Sequence, residues 1–260
     1  RSMLIPLRQR LVDIPDLRLE GLLEIPQPGY RCHITYDQHG EKTEVLCGDV
    51  EPLTLDELAP VLPRLQALVV NFITGYEIRR ETLAAVRTQL AGPVFMDLHS
   101  LTLGRSADGT RFPEPTVDID KWLALADVVQ MNESEARILG AHTHCQDSLA
   151  RDAVSPLVKW ATAHLDRGPR AIVVTRGVAG AIAAWRNEDG VLAHIVQPAH
   201  EVSSAAHLDP TGCGDVFLAA MAAAQIRGMG FPAAMAHASR AAAWNCHLKG
   251  IDELHRLPLE

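Results

Sequence analysis

Ala67-Leu-Val-Val-Asn-Phe72, a helix-period stretch over residues 79–90, then Val94-Phe-Met-Asp97: this unit decides the fold class. Its first and last pieces are short continuous apolar runs of the buried-strand kind, and Gly92-Pro93 stops the helix between them. Two strands joined through a helix need a crossover connection, which makes them parallel. The rhythm continues outward. Residues 127–131 read as another buried strand, 152–164 as a helix, and Ala171-Ile-Val-Val-Thr175 as the most β-like run in the chain. Residues 181–185 and 191–196 read as an antiparallel edge pair. Two alanine-rich helices follow, over 215–227 and 232–247, hinged at Gly228-Met-Gly230. Strands spaced by helices imply a mostly parallel sheet covered on both faces. In such sheets ligands sit beyond the carboxyl ends of the strands, which directs the search to Asn71, Asp97, Asn132, Thr175 and Asp209.

Upstream of that unit, residues 30–36 and 42–47 form two β-like runs around Asp37-Gln38-His39-Gly40, a turn composition, and read as a hairpin or flap. Thr54-Leu-Asp-Glu57 has capping-box spacing ahead of a helix expected to run to Leu65. Residues 99–117 read as a long surface loop, and 122–126 as a short helix. The opening segment, 4–11, is a helix.

Composition narrows the function. The 260 residues are 47% hydrophobic and carry a formal net charge of −8, so a sizeable core forms, and no basic stripe marks a nucleic-acid surface. The five cysteines are odd in number and scattered with no Cys-x-x-Cys, which fits a reducing cytoplasm and argues against a disulfide framework or structural zinc. His142-Thr-His144-Cys145 reads as a polar loop rather than a metal site, for want of a second ligand cluster. No apolar run approaches a membrane span and no signal peptide opens the chain.

The chemistry-bearing segment is Asp209-Pro210-Thr211-Gly212-Cys213-Gly214-Asp215, followed at once by an alanine-rich helix. Two glycines leave the backbone bare where a helix begins. The first N–H groups of that helix lack internal partners and its dipole adds partial positive charge. That combination stabilises a phosphoryl group in transfer, and the Asp215 carboxylate nearby can accept the proton of an attacking hydroxyl. The same residues also make a plain turn plus a dipole-compensating acid. Asn132-Glu133-Ser134-Glu135 follows a buried strand, and there an amide and a carboxylate one turn apart suit the water shell of magnesium, or else an ordinary helix cap. Thr175-Arg176-Gly177-Val-Ala-Gly180 follows a strand with glycines that would let a phosphate chain lie close to the backbone. Arg105 reads as a solvated loop arginine that could otherwise reach a phosphate. No P-loop motif and no Gly-x-Gly-x-x-Gly after a strand is present, which sets aside P-loop and NAD-dependent chemistry.

In this order, the three segments resemble the ribokinase-like (PfkB-type) carbohydrate kinase family, with Cys213 where alanine is usual. The resemblance runs from about residue 30 to 250, and Asp209–Asp215 is its most specific part. It implies a three-layer α/β/α fold with a mostly parallel sheet and a small β lid over residues 30–48, all within one kinase domain spanning 1–260. It implies Asp215 as catalytic base, the Gly212, Cys213 and Gly214 backbone as anion hole, and ATP and Mg2+ as cofactors. Asn132 and Glu135 would serve magnesium through water. Thr175, Gly177 and Gly180 would lie along the nucleotide phosphates, with Ser239 beside the adenine. Asp209, Thr211, Asn245 and Gly250 would surround a monovalent cation such as K+. The expected substrate is a sugar or nucleoside-like small molecule, in the cytoplasm, in a homodimer paired through the lid. The family's opening βα units, with the Gly-Gly pair and the Asn that grip the sugar, have no counterpart before the flap. The N-terminal part is therefore expected to be missing, which motivates a competing reading as a non-catalytic binding member acting through a partner.

Overall fold

The computed structural model describes residues 4–11, 14, 17–26, 28–36, 42–141, 154–201, 208–248, 253 and 256–257. Arg1-Ser2-Met3, the turn at 37–40, His142-Thr-His144-Cys145 and Gly250 lie outside them. In chain order the elements are α1 (Leu4–Leu11), β1 (Arg31–Tyr36), β2 (Lys42–Cys47), α2 (Leu55–Leu58), β3 (Leu68–Asn71), α3 (Arg80–Gln89), β4 (Val94–Asp97), β5 (Leu103–Arg105) and β6 (Arg111–Pro113). Then come α4 (Ile119–Leu123), β7 (Val128–Asn132), α5 (Glu133–Ile138), α6 (Val154–His164), β8 (Ala171–Thr175), β9 (Ala181–Arg186), β10 (Leu192–Gln197), α7 (Cys213–Ile226) and α8 (Phe231–Asn245).

Six strands form the central sheet in the order β10-β9-β8-β7-β4-β3. The four from β3 to β8 are parallel, and β9 and β10 are antiparallel additions at the edge. Both faces are covered. Successive strand side chains point to opposite faces, so Val129, Met131, Ile172 and Val174 pack with Leu83, Trp122, Leu157 and Trp160 in one layer. Phe95, Val128, Val173 and Ala183 pack with Phe217, Leu218, Met221 and Met235 of α7 and α8 in the other. Small alanines on both sides let α7 and α8 approach closely; Ala222, Ala224, Ala234 and Ala238 are all buried. A fully buried Leu or Phe stabilises the fold by about 1.5–3 kcal/mol over an exposed one, which is why the sheet's interior reads so clearly as continuous apolar runs.

Two expectations fail for identifiable reasons. The helix opening at Thr54 forms its capping box, with Thr54 and Glu57 bonding each other's backbone N–H, yet it ends at Leu58. Pro60 and Pro63 have no N–H to continue it, and the chain proceeds as a 3-10 turn over Leu62–Arg64. The expected loop over 99–117 contains a 3-10 turn at His99–Thr102 and the hairpin β5–β6. Asp108 makes that hairpin's turn by accepting from Ser106 Oγ and Thr110 N, with Gly109 at φ +89°. The hairpin packs against the β1–β2 flap: Leu46 N–H donates to Gly109 O at 2.8 Å. Arg105 pairs with Asp49 at 2.9 Å, so it ties flap to hairpin.

Candidate active site

The segment from Asp209 to Asp215 is pinned before it reaches α7. Asp209 Oδ1 accepts from Thr211 N at 2.9 Å, and Cys213 N–H donates to Pro210 O at 3.1 Å. Gly212, at φ +77° and ψ 0°, has the dihedrals of the third residue of a type II turn, which favour glycine. The turn therefore spans 210–213, one residue later than the sequence indicates. One consequence is specific: the Cys213 N–H closes the turn and is not a free donor. The N–H groups of Gly214 and Asp215 have no internal acceptor among the described residues, as expected for a helix start.

Beside them lies a set of polar side chains fixed by strand register. Asn71 is level with Asp97, and Asp97 with Gln130, across three adjacent strands. Phe95 and Val128 face α7 and α8, so alternation turns Asp97, Gln130 and Asn132 to the same side. Asn71 Nδ2 donates to Asp215 Oδ1 at 3.0 Å. Gln130 Nε2 donates both to Asp97 Oδ2 at 3.0 Å and to Gly214 O at 2.8 Å, tying the strand end to the helix start. Burial raises Asp215 above the usual carboxylate range, partly offset by His99. Burial, then the nearby Glu135 charge, lifts Asp97 to about 7. His99 donates its backbone N–H to Asp97 Oδ1 and bonds Glu135 through Nδ1 at 2.8 Å, which raises the imidazole.

Asn132 and Glu135 form a reciprocal helix cap. Asn132 Oδ1 accepts from Glu135 N, and Glu135 accepts from both Asn132 N–H and Nδ2. With His99 added, both oxygens of the buried Glu135 have donors, while Asn132 remains exposed. Thr175 is level with Asn132 on the next strand, and its hydroxyl donates to Met131 O at 3.4 Å. The two glycines after it differ. A Cβ on Gly177 would meet open space, whereas one on Gly180 would lie 2.1 Å from Gln197 O, so the protein's own backbone fills that side. Ser239 Oγ donates to Pro198 O, bringing α8 to the same 197–199 stretch. Asp209, Thr211 and Asn245 do come together: Asp209 N–H donates to Cys246 O, and Asn245 Nδ2 to Thr211 O.

Sequence reasoning passed over Gln130, and the signal was there: one amide in an otherwise apolar strand, Val128-Val-Gln-Met131. A buried polar side chain needs partners, and here those partners are the site. Asn71, Asp97 and His99 stand out in the sequence only as possible pocket residues at strand ends, weighed against a structural role; the approach of Asn71 and Asp97 to the start of α7 is a product of register.

Comparison with known proteins agrees with this architecture. Residues 104–255 match the model of the pfkB family carbohydrate kinases. No curated protein matches the chain. Among solved structures, ribokinase from Thermotoga maritima superposes with a TM-score of 0.61 at 22% identity, over 89% of this chain and 67% of that one. Arabidopsis thaliana ribokinase, complexed with ribose and ATP, gives 0.65 at 18%, over 88% and 66%. A pyrophosphate-dependent kinase of the ribokinase family gives 0.62 at 16%, over 85% and 71%. The chain thus spans about two thirds of the length of the two ribokinases and shares their fold. With the family model covering more than half of its residues, this protein belongs to the pfkB family of carbohydrate kinases.

Proposed function

We propose that the protein transfers a phosphoryl group from ATP to a hydroxyl of a sugar or nucleoside-like molecule, with Asp215 as general base. The observation that carries this reading is the start of α7. Two N–H groups without internal acceptors, those of Gly214 and Asp215, sit on the same turn as a carboxylate whose affinity for protons burial has raised. A carboxylate with a raised proton affinity accepts a hydroxyl proton more readily. Asn71 holds Oδ1 and so orients the carboxylate, leaving Oδ2 toward the incoming hydroxyl. The N–H pair opposes charge as it builds on the transferred group. Because Cys213 N–H closes the turn, the anion hole is assigned to Gly214 and Asp215, with Gly212 and Cys213 shaping it.

Magnesium fits the donor set. Gln130 Oε1 and Asn71 Oδ1 are buried without a hydrogen-bond partner among the described residues, next to Asp97, whose carboxyl burial and then the Glu135 charge lift to about 7. Such oxygens suit a hard hydrated cation held by few protein groups and by substrate phosphates. When bound, the ion would neutralise phosphate charge, and Asn132, Glu135 and Asp97 are the residues to hold its water shell. Thr175 and Gly177 are assigned to the phosphate chain, Gly180 and Ser239 to the wall behind the base, and Asp209, Thr211 and Asn245 to the monovalent cation. The β1–β2 flap, with Ile34 exposed, is assigned to cover the substrate and to pair two copies.

The test is Asp215→Asn, assayed with ATP, and with pyrophosphate as a second donor, across sugars and nucleosides preselected by thermal shift. Turnover should fall about 100- to 10,000-fold while nucleotide affinity persists. Near-normal turnover would remove Asp215 from the mechanism. Nucleotide binding without turnover on any acceptor in the wild type would favour the non-catalytic reading, which the partial coverage of the ribokinases keeps open.

A further inference from the structure

Two thiols that this chemistry does not use meet beside the anion-hole turn. Cys213 is the first residue of α7, Cys246 caps the end of α8, and their sulfurs are 3.2 Å apart. They are separated by 33 residues in sequence, so the contact belongs to the fold and not to local chain geometry. Both are half-buried. A disulfide would bring the sulfurs to about 2.05 Å, a closure of roughly 1 Å. The surroundings leave little slack for it. Cys246 O already accepts from Asp209 N–H, Asn245 Nδ2 holds Thr211 O, and Cys213 N–H closes the turn on Pro210 O. The strain of bonding therefore falls on the segment that aims the Gly214 and Asp215 N–H groups.

We propose that Cys213 and Cys246 are a reversible thiol–disulfide site, oxidised by a hydroperoxide, and that the bridge switches off phosphoryl binding at the start of α7. The second half of this statement rests on the kinase reading above; the first does not.

The chemistry balances. The Cys246 thiolate attacks one oxygen of the peroxide, the O–O bond breaks, hydroxide leaves, and Cys246 becomes a sulfenic acid. Cys213 sulfur then attacks Cys246 Sγ, the S–O bond breaks, and the departing hydroxide takes the Cys213 proton as water. Two thiols lose two electrons and two protons, and hydrogen peroxide becomes two waters. The sum is the same whichever sulfur attacks first, since the two are in contact and both are half-buried. Contact between the sulfurs favours the second step, because a reaction between held partners avoids the entropic cost of bringing them together. Dithiothreitol reverses the change by thiol–disulfide exchange.

The experiment treats the full chain with graded hydrogen peroxide under native conditions, then maps disulfides by peptide mass. Expected is a Cys213–Cys246 linked peptide, lost on dithiothreitol and absent from Cys246→Ser. Phosphoryl transfer should fall about ten-fold or more on oxidation and return on reduction, while Cys246→Ser keeps its activity through the same treatment. Oxidation confined to the exposed lid thiols Cys32 and Cys47, or linkage that leaves transfer unchanged, would overturn the proposal. If the reduced protein shows no transfer at all, the kinase reading fails; the peptide map still decides whether the bridge forms, and ATP or sulfate protection against unfolding, compared between the oxidised and reduced protein, decides whether it closes the anion site.

Discussion

The chain has two regions of opposite character. From Leu4 to Val61, Leu46 is the one buried residue among those described, and α1, α2 and the β1–β2 flap lie on the surface. From Phe72 onward the central strands are dry: β4 is buried along its whole length, and β7, β8 and β9 along four positions each, with only the edge strand β10 and the small β5–β6 hairpin more open. The family model matches within the second region, over residues 104–255. The polar cluster around Asp215 likewise draws all its side chains from Asn71 onward. The difference teaches that the α7 side of the candidate site is held by a two-sided core, while the flap is held by a few surface ties such as Leu46–Gly109 and Arg105–Asp49. On the proposed reading, the groups assigned to phosphoryl transfer are on the packed half and the flap assigned to cover the substrate is on the loose one.

The sharpest way to break this contrast is a glycine substitution in the packed half. At Gly180 the backbone has φ +85° and ψ −133°, and a Cβ would stand 2.1 Å from Gln197 O and 2.6 Å from Ala199 N. Those are backbone atoms, with no flexible tip to swing aside. Gly180→Ala should lose about 4 kcal/mol or more, from dihedral strain and overpacking together. Urea unfolding measures it, and a loss below 1 kcal/mol would mean that the 197–199 stretch yields easily and that the packed half is softer than its burial indicates.

A smaller effect isolates the electrostatics beneath the candidate site. The folded value of Asp97, about 7, lies above its ordinary 3.8, so the native state holds this proton more tightly than the unfolded chain. The stabilisation is fully present below about pH 4 and is lost as pH rises through 7. His99, also raised, acts in the same direction: the part it contributes through Glu135 disappears as the imidazole deprotonates. Stability of the wild type should therefore decline between pH 4 and 7 by on the order of 3 kcal/mol from Asp97. Asp97→Asn should flatten that decline, because its amide stays neutral throughout. Parallel pH profiles for wild type and variant would show that the carboxyl pair is not what links strand end to stability.

How much of this was legible follows the same division. The sheet was readable because burial on both faces writes itself as apolar runs, and β8 lies where Ala171-Ile-Val-Val-Thr175 indicates. The flap was readable from alternation around a turn. The hairpin β5–β6 was missed although Asp108-Gly109 is a turn dipeptide, because three-residue strands rich in Arg and Gly carry no periodic signal. The helix after Thr54 was overextended because the capping box is a strong start signal and Pro60 and Pro63 were not weighed as stops. At the candidate site, Asp215 and its glycines stood out in the local pattern, but that pattern fits a plain turn and cap as well, and only the order of the three segments singled them out. Gln130 did not stand out, since its role depends on parallel register between β4 and β7 bringing it level with Asp97, and the Cys213–Cys246 contact depends on how α7 and α8 pack. Neither distance is written in any one segment.

The smallest effect is the matched control for Gly180. Gly21 belongs to the surface region; a Cβ there would meet nothing within 4 Å, and its φ does not fall in the left-handed range. The folded state thus loses nothing when a methyl is added, and the unfolded chain loses some of its freedom. Gly21→Ala should change stability by no more than about 0.5 kcal/mol, and toward stabilisation if at all. The same chemical change at two glycines, one under the backbone of residues 197–199 and one facing solvent, then differs by several kcal/mol by the estimates given for each. A large loss at Gly21 would mean that the stretch around it packs against something in solution, and that the apparent looseness of the first sixty residues is the looseness of a surface awaiting a partner.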